Sequence, residues 1–214
     1  MFLLAAIVGS GIMGDRLSGG NIAIALLANA IATGAMLVVL ILVFGPISGA
    51  HFNPVVTLAS ASQGDLRWGE VPAYVLAQVI GALSGVAIAH LMFNEMLFSF
   101  SEHARSGGSQ LLSEFMATFG LLTVIWGCAR SRQAAVPFAV GAYIAAGYWY
   151  TSSTAFANPA VTLARSVTNT FSGIRPIDVP GFIVMQFIGA IVAILLFRWL
   201  VPDRSQKEVP RHVR

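Results

Sequence analysis

One seven-residue phrase occurs twice in this chain of 214 residues. Asn53-Pro54-Val55-Val56-Thr57-Leu58-Ala59 returns as Asn158-Pro159-Ala160-Val161-Thr162-Leu163-Ala164, with six of seven positions identical at an offset of 105 residues. Asn before Pro is a helix-start signal. The Asn side chain caps the first free N–H groups, and Pro at the first helical position has no N–H to leave unpaired. Each copy therefore predicts the N-terminus of a short helix, and each stands between long apolar runs. Two helix starts in corresponding places of two halves are the mark of a transport site built at a repeat interface.

The surroundings are those of a membrane. Charged residues make up 10% of the chain, against about 25% in a soluble domain. The net charge of +3 does not indicate a nucleic-acid partner, because the cationic residues flank apolar runs or lie in the C-terminal tail, where they act as topology signals. Cys128 is the single cysteine, so no intrachain disulfide exists; at the end of an apolar run it reads as a small packing residue.

Six apolar runs stand at 1–14, 21–44, 71–93, 110–129, 134–151 and 178–200, the second closed by Gly45-Pro46. The two phrases predict half-helices at 53–62 and 158–168. A polar break at 94–109 divides the chain into a first repeat (1–93) and a second (110–200), followed by a basic tail (201–214). Val71-Pro72, Gln78 and Gly81-Ala82 are echoed by Val179-Pro180, Gln186 and Gly189-Ala190 at an offset of 108. Gly81 with Gly85, and Gly189 with Ala193, predict close helix packing. With three spans per half, the repeats must be inverted relative to each other. The expected fold is an all-α membrane protein of six transmembrane helices and two re-entrant half-helices in two inverted repeats.

The first run is short of the roughly 20 residues that a span needs. Leu3-Leu4, Ile7 and Gly9 are echoed by Leu121-Leu122, Ile125 and Gly127 at an offset of 118, which puts the counterpart of Glu114 before Met1. The expectation is a natural first helix longer by about half a span, or an unusual start codon. Arg67, Arg130, Arg132, Arg198 and the tail cations fall on one side, and Arg16, Arg105 and Arg175 on the other. That bias predicts cytoplasmic N- and C-termini.

Irregular backbone at membrane depth must be buried in protein or line a water-filled cavity. Inversion brings the two half-helices in from opposite faces, so their N-termini meet near the midplane. Each carries a partial positive charge of roughly +0.5, which disfavours cations. Asn53 and Asn158 can donate to the oxygen of a passing solute. The loops Ser48-Gly49-Ala50-His51 and Thr154-Ala155-Phe156-Ala157 can turn carbonyls inward. These features predict a passive pore for small uncharged solutes. An ion-coupled secondary transporter is the alternative, but no paired intramembrane acids are visible. Ser, His and Glu residues lack the spacing of a nucleophile and its base, so an enzyme is not expected. His51 has no second His or Cys at ligand spacing and reads as a pore-wall residue, not a metal ligand.

The two Asn-Pro half-helices, the six spans and Ser48-Gly49-Ala50-His51 before the first motif resemble the aquaporin and aquaglyceroporin (major intrinsic protein) family over nearly the whole chain. The resemblance implies a homotetramer with one pore per subunit in the plasma (inner) membrane, no cofactor, and passage of small neutral solutes and water through a lipid bilayer. It makes Asn53, Pro54, Val55, Asn158, Pro159 and Ala160 the pore midplane, with Val55 where the family usually has Ala. Glu114 matches the family's buried glutamate, which holds the second pore loop. The family's selectivity arginine follows the second motif directly, and here that position is Val161. The other filter positions fall by spacing on Thr33, Ala155 and either Ala146 or Tyr148. Gly49, Ala50, His51 and Phe156 are expected on the pore wall. Arg165 lies one turn beyond Val161 and about 6 Å nearer the outer mouth, where it is expected to give the vestibule a positive field. A filter with Val in place of Arg resembles bacterial channels of arsenic-resistance operons. That implies conduction of arsenite, methylated arsenicals or glycerol-like polyols, with a strict water channel as the alternative.

Overall fold

A computed structural model describes residues 1–200; the basic tail at 201–214 lies outside the described residues. Eight α-helices follow in order: α1 (Phe2–Leu17), α2 (Ile22–Ser48), α3 (Pro54–Gln63), α4 (Val71–Phe93), α5 (Gly108–Ser131), α6 (Val136–Tyr150), α7 (Pro159–Arg165) and α8 (Val179–Leu200). No strand occurs among the described residues. Six long helices thus accompany two short ones, the expected six-plus-two architecture.

The packing repeats itself in the two halves. In the first, α1 packs on α2 and α4; in the second, α5 packs on α6 and α8. The pair α2 and α6 joins the halves. Each short helix is held from both sides: α3 lies against α4 and α8, and α7 against α8 and α4. Small residues permit these approaches. A Cβ on Gly34 of α2 would come within 2.7 Å of the Gly141 carbonyl oxygen of α6, and one on Gly141 within 2.6 Å of the Gly34 oxygen. Gly85 faces Leu4 of α1, and Gly189 faces the Phe115 backbone of α5.

Four segments are long and apolar enough to cross a membrane: 22–48, 68–93, 108–131 and 176–200. α1 and α6 have 16 and 15 residues. At 1.5 Å per residue they reach about 24 and about 22 Å, short of a hydrocarbon core of about 30 Å.

Two helix ends differ from expectation. α2 continues through Pro46 and ends at Ser48. Pro46 sits in the last turn, where its missing N–H forfeits one bond only. Gly49, left-handed at φ 72°, caps the helix by donating to the Gly45 carbonyl. α7 stops at Arg165 instead of 168. Its final carbonyls are taken by loop donors: the Ile174 N–H bonds the Arg165 oxygen at 3.2 Å, and the Ser101 N–H bonds the Ser166 oxygen at 3.0 Å.

Candidate functional site

The two half-helices meet at their N-termini through a reciprocal exchange. Asn53 caps α3 by accepting from the Val55 N–H at 3.1 Å. Asn158 caps α7 by accepting from the N–H groups of Ala160 and Val161 at 3.0 and 3.2 Å. Each Asn then uses its amide nitrogen on the opposite repeat. Asn53 Nδ2 donates to the Ala157 carbonyl at 2.7 Å, and Asn158 Nδ2 to the Phe52 carbonyl at 2.8 Å. A side-chain amide carries two N–H donors, so each Asn keeps one more.

Both loops that lead into the half-helices contain non-glycine residues at positive φ. These are Ala50 (49°) and Phe52 (45°) in the first, and Thr154 (63°), Ala155 (49°) and Ala157 (48°) in the second. Such conformations persist only where the surroundings over-determine them. For the second loop the fixing group is Glu114, which is fully buried. Its Oε1 accepts from Ser153 Oγ at 2.5 Å and the Phe156 N–H at 2.9 Å. Its Oε2 accepts from the Ala157 N–H at 2.9 Å and Gln186 Nε2 at 2.6 Å. Gln186 also donates to Thr162 Oγ1 at 2.8 Å, and in the first half Gln78 donates to Thr57 Oγ1 at the same distance. The sequence reading passed over Thr57 and Thr162; their identical place in the repeated phrase was the available signal.

A cavity of about 380 Å³ passes between the half-helices. Its lining includes Asp65, Gln133, Asn53, Asn158, Thr33, Tyr148, Ala155, Phe156, Val161 and Arg165. Gly49, Ala50 and His51 also line it. Tyr148 is buried with its hydroxyl 3.2 Å from Thr33 Oγ1, whereas Ala146 is exposed on the far side of α6. The cavity-facing stripes of the half-helices correspond: Asn53, Val56 and Ser60 on α3, and Asn158, Val161 and Arg165 on α7, each at positions i, i+3 and i+7 of one helix face. Val56 and Ser60 were not singled out from the sequence, although this period reveals them.

Two placements are more specific than the expectation. Pro54, Val55, Pro159 and Ala160 do not line this cavity. They occupy the first two helical positions and turn away from it; Val55 is fully buried with Ala59, Leu122, Ala190 and Ala193. Arg165 lines the cavity from an enclosed position. It is buried, with 2% of its surface exposed. Its guanidinium carbon lies 3.4 Å from the Phe156 ring centroid, and its Nε donates to the Ser172 carbonyl. The loop 166–174 folds back over it.

Two inverted repeats whose half-helices meet end to end beside a cavity lined from both define a membrane channel. The chain belongs to the Major intrinsic protein family, which its residues 1–152 and 128–213 match. Members of that family are channels for small neutral solutes and water, not enzymes. The chain is 55% identical over 199 residues to Aquaglyceroporin AqpS of Rhizobium meliloti (strain 1021), covering 93% of this chain and 85% of that protein. It is 41% identical over 107 residues to Aquaporin NIP1-1 of Zea mays, covering 49% of this chain and 38% of the plant protein. The X-ray structure of the aquaglyceroporin from Plasmodium falciparum superposes with a TM-score of 0.65 over 92% of this chain and 90% of that one. At 18% identity that likeness is one of fold.

Proposed function

We propose that the protein is a passive, bidirectional channel for small uncharged solutes rich in hydroxyl groups, such as arsenite, methylated arsenicals or glycerol-like polyols, with water. The observation that carries this reading is Val161. Its short apolar side chain lines the same cavity as Thr33 and Ala155, at the position where the family's filter arginine would stand. An isopropyl group there leaves width and an apolar wall that tolerates a methyl substituent. Tyr148 and Thr33 supply hydroxyls to exchange hydrogen bonds with solute oxygens. A 55% identical relative is named an aquaglyceroporin, which agrees with a pore wider than one for water alone.

The proposal extends to the setting. Residues 1–93 and 110–200 form the two repeats, joined by an extracellular loop at 94–109, and the tail is cytoplasmic. The contacts support this sidedness: Arg198 reaches the Ser62 carbonyl at the end of α3, whereas Arg16 pairs with Glu95 and Arg175 with Asp178. Cations are thus gathered at two ends, with the denser set assigned to the cytoplasm. The channel sits in the plasma membrane as a homotetramer.

The test is stopped-flow light scattering on proteoliposomes, comparing water, glycerol and arsenite in wild type and Val161→Arg. Fast glycerol or arsenite uptake that the variant loses supports the reading. Fast water flow without solute uptake in wild type overturns it in favour of a strict water channel.

A further inference from the structure

The pore has a fixed cation, although the position that carries one in related channels is a valine. We propose that Arg165 is the charge-selecting residue of this pore, placed one helical turn beyond Val161. The inference rests on the channel reading above and concerns what the channel refuses.

Four observations carry it. Arg165 lies on the cavity-facing stripe of α7, together with Asn158 and Val161. It is buried and yet lines the cavity. Among the described residues no carboxylate pairs with it: the ion pairs are Arg16–Glu95, Arg67–Glu70 and Arg175–Asp178. Finally, among the described residues only its Nε is engaged, by the Ser172 carbonyl; its terminal nitrogens have no hydrogen-bond partner there and are not sealed from the cavity. A guanidinium has five N–H donors, and four of these remain for whatever occupies the cavity.

The partly buried Arg105 behaves differently. Arg105 also stacks on Phe156, at 4.9 Å. It spends its side chain on the loops, donating to the Gly173 and Ser153 carbonyls at 2.8 and 3.2 Å and to Thr154 Oγ1 at 3.4 Å. Arg105 holds the entrance together. Arg165 is held, by Phe156 and Ser172, with its far end unspent. A desolvated positive charge on the pore wall repels protons and metal cations and leaves neutral hydroxylated solutes free to accept its hydrogen bonds. The counterpart of Arg165 on the other half-helix is Ser60, so the barrier stands on one side of the midplane only.

The experiment uses the full chain in liposomes. Proton leak is read with a trapped pH-sensitive dye, potassium leak from the dye response to valinomycin, and glycerol uptake by light scattering. Arg165→Gln keeps donors and loses the charge. It is expected to raise proton or potassium leak by about tenfold or more relative to glycerol uptake in the same liposomes. Arg165→Lys keeps the charge and is expected to restore exclusion to within about twofold of wild type. Should the Gln variant fail to reconstitute, Arg165→Met carries the same expectation for leak. An unchanged leak in the neutral variants overturns the proposal. So does a lysine variant as leaky as the neutral ones, which would mark Arg165 as a loop support. Absence of glycerol and arsenite uptake in wild type refutes the channel's solute class instead, and the leak comparison still decides the role of Arg165.

Discussion

Thr33 and Tyr148 meet hydroxyl to hydroxyl at 3.2 Å although 115 residues separate them. The contact joins α2 of one repeat to α6 of the other at the cavity wall. Tyr148→Phe removes one of the two groups and leaves Thr33 buried with a vacant bonding site, at a cost of about 1 kcal/mol. Glycerol uptake is expected to fall several-fold against water, because a polar contact is lost without a change in width. An unchanged glycerol-to-water ratio in stopped-flow traces would show that Tyr148 does not touch the solute.

Glu114 supplies four acceptor contacts to the second pore loop and α8. In Glu114→Gln one of the two oxygens becomes a donor, which faces N–H groups it cannot bond. The expected loss is about 1–3 kcal/mol, seen as a lower melting temperature in detergent and loss of solute flux. A melting temperature equal to wild type would mean that the loop is fixed by other contacts.

Asn158→Ala removes both the cap of α7 and the link to the Phe52 carbonyl. Capping losses run at about 1 kcal/mol and an unsatisfied buried carbonyl adds a further 1–3, roughly. Stability and flux are both expected to drop. Stability preserved with flux lost would assign Asn158 to the solute path alone.

Gly141→Val is a test of packing away from the solute path. A side chain there meets the Gly34 carbonyl and Val38 of α2. Overpacking of this kind costs about 1–3 kcal/mol. The variant should denature earlier in a thermal melt followed by tryptophan fluorescence. A neutral result would show that α2 and α6 can separate freely.

Most of the frame was legible because it depends on local signals. α4 was read to its terminal residues from Val71-Pro72 and the polar Asn94, and both half-helix starts from Asn-Pro. What escaped depends on three-dimensional packing. Pro46 is a helix terminator by local rule, but the following Gly49 cap lets α2 go on. The choice between Ala146 and Tyr148 turns on which face of α6 meets α2, which spacing from a motif across an uncertain gap does not decide. The burial of Arg165 depends on a loop that returns over it from 166 to 174, and no helical period announces that.

The reciprocal Asn bonds also set the order of events as the chain folds. Their partners are 104 and 106 residues apart, so the aperture is made of contacts between residues distant in sequence. Chain closure over such distances comes late, after hairpins of neighbouring helices have formed. During synthesis the first repeat must wait, its loop unpaired, until residue 158 has emerged and turned inward. A fragment ending at the inter-repeat loop therefore has no finished opening of its own, and the aperture belongs to neither repeat but to their encounter.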